Sequence, residues 1–165
     1  NNIRVSFMAF ALGIFFCLGT VYILGYNGLS VGAAAGLFHA PSIGEPSKFW
    51  GLILPHGTLE LTAVVVAGAA GLRLGWCLIA PGDTTRGRAL AAEGRRSVVI
   101  VLGLTVAFVA AGIIEGFVTP SSLPTAMRIG IGLGAELVFV AWIVLFGRGT
   151  DAGDRPRPAV ASGGP

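Results

Sequence analysis

Long apolar stretches alternate with short polar clusters along this chain. Residues 5–24, 98–114 and 129–135 carry no charged side chain, and residues 49–79 are apolar apart from isolated polar positions. A helix needs about 20 mostly apolar residues to cross a bilayer. The pattern therefore predicts an all-α fold, a polytopic transmembrane helical bundle with about four full spans plus one short or re-entrant glycine-rich helix. A transmembrane β-barrel would need short alternating segments between turns, and the sequence has none.

The punctuation sets the expected elements. A first span over residues 5–24 is expected to stop at Gly25-Tyr26-Asn27-Gly28, a cluster suited to a tight turn. The following segment, residues 28–43, repeats glycine at Gly28, Gly32 and Gly36, which places the three on one helix face and allows a neighbouring backbone close. Its apolar part, about 11 to 15 residues, is short for a full span. A polar loop at 39–48 holds His39, Pro41, Glu45, Pro46 and Lys48. The next helix, 49–79, either starts at Pro55 or is kinked there. Pro81 and Gly82 end it, and the charged 82–96 loop includes a helical RALAAEGRR. Helices over 97–118 and 129–146 follow. Residues 1–146 are thus expected to form one transmembrane helical domain, and the Gly-, Pro- and charge-rich 147–165 a disordered cytoplasmic tail.

Composition sharpens this picture. Charged residues make up only 12% of the chain and hydrophobic ones 54%, whereas soluble domains carry about twice that charge. The net charge of +3 does not imply a nucleic-acid partner, because the basic residues fall between the apolar runs and not along one polar face. They report topology: Arg86, Arg88, Arg95 and Arg96, and Arg148, Arg155 and Arg157, mark the 80–96 loop and the tail as cytoplasmic by the positive-inside rule. The 39–48 loop and the segment before 129 then face outside. Arg73 is expected at the membrane interface as a snorkelling anchor. Parity puts Asn1 outside if the glycine-rich segment crosses. With no initiator Met, this leads to the expectation of an upstream transmembrane helix. Cys17 and Cys77 lack metal-ligand spacing and read as buried small hydrophobes that indicate no redox compartment.

Against so apolar a background the ionisable residues inside the spans stand out. His56 and Glu60 are four apart, one turn from each other on one helix face. Glu115 lies near the outer end of its helix and Glu136 about two turns into the last one. Charges at bilayer depth cost about 2.5–3.5 kcal/mol each on insertion scales, so such groups face one another or a wet cavity. His56, Glu60, Glu115 and Glu136 are therefore expected to form an intramembrane polar cluster in the outer half of the bundle, with Arg128 as an alternative partner for Glu136. The glycine faces Gly28, Gly32 and Gly36, with the pairs Gly71 and Gly75, Gly112 and Gly116, and Gly130 and Gly134, are assigned to helix packing. No catalytic residue is assigned. HGTLE lacks the zinc-protease arrangement, and Ser30 in GLSVG follows an apolar helix where a nucleophile elbow needs a strand. One His with several Glu is a weak signal for a divalent metal, and the sequence identifies no cofactor.

Four stretches, NNIRVSFMAFALGIF, YNGLSVGAAAGLF, FWGLILPHGTLELTAVVVAGAAGLRLGW and GIIEGFVTP, together resemble the stage II sporulation protein M family of bacterial integral membrane proteins. The resemblance runs from Asn1 to about Phe146, and Pro55-His56-Gly57 with Glu60, Arg73 and Glu115 is its most specific part. It implies a multi-pass protein of the bacterial cytoplasmic membrane. The founding member of the family holds peptidoglycan-degrading partners in a complex without known catalysis of its own. The implied role is a scaffold or assembly protein of the cell envelope. Its partners would be membrane lipids and other envelope proteins, peptidoglycan hydrolases among them, or further copies of itself. Because the chain is Ala-, Gly- and Arg-rich and Lys-poor, as in high-GC bacteria, a role outside sporulation is compatible with membership. The competing readings are a transporter or channel-like protein using the His/Glu cluster and, behind it, an intramembrane metal-dependent hydrolase.

Overall fold

The computed structural model describes residues 1–42 and 44–147. Five α-helices follow in order: α1 (Asn2–Ala11), α2 (Leu18–His39), α3 (Pro46–Ile79), α4 (Arg86–Ile113) and α5 (Thr125–Phe146). A 3-10 turn (Leu12–Ile14) separates α1 from α2, and a π-helical turn (Ile114–Val118) ends α4. There is no strand among the described residues. α2, α3, α5 and α4 with its π-helical turn are each long and apolar enough to cross a membrane, and α1 with the 3-10 turn is a shorter apolar helix. The all-α bundle of four long helices and a short one is the one the hydropathy pattern predicts.

The short element, however, is not the glycine-rich one. The expected span over 5–24 is broken at 12–17, and α2 runs unbroken through Gly25-Tyr26-Asn27-Gly28, where a tight turn was expected. The physical reasons are complementary. In hydrocarbon an open turn strands backbone N–H and C=O groups, so a glycine cluster at span depth keeps its helical hydrogen bonds. The real reversal is fixed by tertiary contact. A Cβ on Gly13 would collide with the backbone of Gly71, and one on Gly19 with the carbonyl of Leu12. Phe16 and Cys17 turn the chain with φ of 50° and 69°, a left-handed conformation that costs non-glycine residues about 1–2 kcal/mol each.

Two other boundaries move for local reasons. The expected RALAAEGRR helix and the 97–118 span fuse into α4, whose start Thr85 caps by accepting a hydrogen bond from the Arg88 N–H at 3.4 Å. Pro46 opens α3, so Pro55 lies inside it. At about 1.5 Å per residue, the 34 residues of α3 extend about 51 Å.

α3 is the axis of the molecule. α1 runs parallel to it, with Asn2 beside Glu60, Phe10 beside Gly71 and Gly13 beside Gly75. α2 returns antiparallel, Cys17 at Gly75, Thr20 at Gly71 and Leu24 at Gly68. α4 is antiparallel on another face, from Glu93 at Arg73 to Thr119 at His56. α5 is again parallel, Thr125 at Gly51 and Gly132 at Pro55. The core joins Leu59, Ala63, Val64 and Ala67 of α3 to Leu104, Ala107, Phe108 and Ala111 of α4, with Phe139 from α5. Small residues let these backbones approach, and that close packing is what associates helices in lipid.

Candidate functional site

Polar side chains inside the spans meet at three contacts around α3, each facing a different neighbour. On the α1 side, the Asn2 amide donates to Glu60 Oε2. Ser6, one turn further along α1, is buried at 1% exposure. At the end of α4, Thr119 Oγ1 lies 3.4 Å from His56 Nδ1 and donates to the Ile114 carbonyl at 3.2 Å. Arg128 of α5 closes this contact. Its Nη1 donates to the Thr119 carbonyl at 2.6 Å and its Nη2 to Thr125 Oγ1 at 2.9 Å. A guanidinium at the C-terminal end of a helix complements the helix dipole there. On the α5 side, the Thr62 hydroxyl donates to Glu136 Oε1 at 2.6 Å. The other carboxylate oxygen, Oε2, is buried with no hydrogen-bond partner.

The four ionisable groups therefore do not gather. Glu60 and Thr62 are two residues apart, about 200° around a helix of 3.6 residues per turn, so Glu60 and Glu136 lie on nearly opposite sides of α3. His56, four residues before Glu60, lies about 40° from it on the same face of α3, but its ring meets Thr119 at the end of α4. Glu115, on the π-helical turn, is exposed on the outer surface of the bundle and belongs to none of the three contacts. Arg128 turns to the end of α4 and not to Glu136. Sequence spacing correctly aligned residues on one helix but carried no information on which neighbour each helix face would meet.

Some of the expected packing glycines meet a neighbour within the chain and others do not. A Cβ on Gly28, Gly32, Gly36, Gly112 or Gly116 would meet nothing within 4 Å. Close approach within the chain belongs to the expected pair Gly71 and Gly75 and, beyond it, to Gly13, Gly68 and Gly132, whose added Cβ atoms would strike a neighbouring helix. Arg73 is exposed and forms an ion pair with Glu93 at 2.8 Å. His39 ends α2 instead of lying in the loop, with Nδ1 2.7 Å from the Ala35 carbonyl. Cys17 and Cys77 are half-buried, not buried, and line a cleft of about 590 Å³ with Arg73, Trp76 and Glu93. Ser30 sits mid-helix with its hydroxyl donating to the Tyr26 carbonyl at 2.8 Å, in helical surroundings on both sides.

Asn2, Thr58, Thr62 and Thr119 are the polar residues that sequence reasoning passed over. Thr58 and Thr62 had a legible signal: with Gly51 and Pro55 they form one stripe of α3, the stripe that faces α5.

Residues 1–120 match the stage II sporulation protein M family. The chain belongs to that family. An uncharacterized protein of Methanocaldococcus jannaschii is 37% identical over 75 residues, which cover 45% of this chain and 41% of the archaeal protein. The chain thus spans well under half the length of that relative. No solved structure matches it. Family membership and four span-length apolar helices make this a multi-pass membrane protein.

Proposed function

We propose that this member of the stage II sporulation protein M family is a membrane scaffold that holds other envelope proteins through close helix–helix contact. The observation that carries the reading is the open face of α2. Only 6% of its apolar window is buried inside the chain, against 44% for α3. On this uncovered helix Gly28, Gly32 and Gly36 recur one turn apart with free space above each. Lipid tails gain little from meeting glycine, whereas a second helix gains van der Waals contact and backbone proximity. A groove between α4 and α5 mixes small residues, Gly103, Ala107 and Gly134, with the larger Val106, Val138 and Trp142.

The family resemblance supplies peptidoglycan hydrolases as the first partner class to examine, with further copies of the chain as the second. The positive-inside rule supports placing the 80–96 loop and the C-terminal tail in the cytoplasm. A transport role is less favoured, because Glu60 and Glu136 lie on nearly opposite sides of α3 and Glu115 is exposed.

The test is association in membranes. With a single cysteine at Gly32 and the native Cys17 and Cys77 replaced by serine, oxidative crosslinking should give an adduct with a partner or with a second copy. Gly28→Leu combined with Gly36→Leu should reduce that adduct at least tenfold while leaving the amount of protein in the membrane unchanged. Absence of any adduct, or adducts indifferent to the leucines, would rule the reading out.

A further inference from the structure

We propose that the crossing of α3 and α5 is a binding site for a monovalent alkali-metal cation, held by the carboxylate of Glu136 and the hydroxyls of Thr58 and Thr62. Three observations converge on it. Glu136 lies midway along α5, about 17 Å from its start at 1.5 Å per residue, and so at the depth where an unpaired charge is most costly. Its carboxylate is only half satisfied, since Oε1 accepts the Thr62 hydroxyl at 2.6 Å while Oε2 is buried without a partner. Thr58 Oγ1 is also buried without a partner, and one turn of helix places it on the same side of α3 as Thr62. Thr58 thus belongs to the stripe of α3 that meets α5, next to the close contact between Pro55 and Gly132, and Glu136 reaches that stripe at Thr62. Pro55, lacking an N–H, frees the Gly51 carbonyl on the same stripe from its usual helical bond.

What such a group lacks is positive charge. The hydroxyl that reaches Glu136 is neutral, and Arg128, two turns away on α5, is engaged with Thr119 and Thr125. A proton on Oε2 would remove the charge but would leave the Thr58 hydroxyl without a partner. A cation seated between them supplies both the charge and the missing contacts. The donors are hard oxygens, the kind that suit hard cations. A single carboxylate balances a single positive charge, and no three His, Cys, Asp or Glu side chains gather to hold a more highly charged metal among the described residues. The consequence is structural: the ion would fasten α5, which buries only Gly132 and Phe139, to the axis of the bundle.

The experiment compares melting temperatures of the purified full chain in detergent micelles in sodium, potassium and choline chloride at equal ionic strength and fixed pH. One alkali cation should raise the wild-type melting temperature by about 5 °C over choline at saturation. Glu136→Gln should abolish that rise. Thr58→Val is the second arm, since in choline it removes only an unpartnered hydroxyl and should melt at or above wild type. In the favoured salt it should need at least tenfold more cation for the same shift. Equal melting in all three salts, or an undiminished rise in both variants, would overturn the proposal. Direct equilibrium binding of radioactive sodium or rubidium, lost in Glu136→Gln, provides a readout independent of stability.

Discussion

Arg73 and Arg128 show how differently two membrane-edge arginines can be used. Arg73 pairs with Glu93 at 2.8 Å, yet its side chain is 64% exposed. Solvent and headgroups screen such a pair, which contributes at most about 1 kcal/mol. Arg128 donates to the Thr119 carbonyl at the end of α4 and to Thr125, with its Nε buried. Removing a charged donor from such a site costs about 1.5–3 kcal/mol. Arg128→Met is therefore expected to lower unfolding stability in micelles by more than 1 kcal/mol, and Arg73→Met by less; equal costs would show that the cap on α4 contributes nothing. Both arginines were visible in the sequence. Glu93, twenty residues from Arg73 and on another helix, became its partner only when α4 folded back on α3.

At the scale of elements, the decisive feature is the close approach of the α1–α2 reversal to α3. Gly71 faces the Ala9 carbonyl and the Thr20 hydroxyl, and Gly75 faces the Gly13 carbonyl and Cys17. Thr20 is itself buried and donates to the Ala9 carbonyl at 2.6 Å, tying α2 to α1 at this level. A side chain at Gly71 would push backbone against backbone, where no rotamer can give way. Gly71→Val is expected to cost about 3 kcal/mol or more, seen as loss of folded protein in a thermal or SDS titration. Gly25→Val, whose position on α2 has open space, should cost less than 1 kcal/mol by the same measure. A tight turn at 25–28 would reverse that order. Glycine spacing in the sequence marks where close approach is allowed on every helix. It does not say which of the allowed faces is used: of the spaced glycines, Gly71 and Gly75 meet a neighbour while 28/32/36 and 112/116 do not, and Gly13 and Gly132 carry contacts that no spacing marks.

For the molecule as a whole, one long helix organises all the others. α3 touches α1, α2, α4 and α5, whereas α4 and α5 barely meet, which leaves a lateral groove between them. Its burial pattern separates a well-covered axis from two loosely covered spans, α2 and α5. In cells, a cysteine placed at Thr84 is expected to react with a membrane-impermeant maleimide only after lysis, and one at Ser122 before it, with Cys17 and Cys77 replaced by serine in both. The opposite pattern would invert the topology inferred from the arginines.

Hydropathy and charge determined that this chain is an all-α membrane bundle with four long helices, because the bilayer imposes its thickness and its intolerance of unpaired backbone on every segment separately. Those constraints act along one dimension and can be read there. The quoted motifs, for the same reason of local order, sufficed to place it in its family. Tertiary structure alone decided where the chain reverses, which glycines pack, and that His56, Glu60 and Glu136 face three different neighbours. Each of these depends on how helices remote in sequence rotate against one another. That rotation is set by the summed fit of many small side chains, and no single stretch of the sequence contains it.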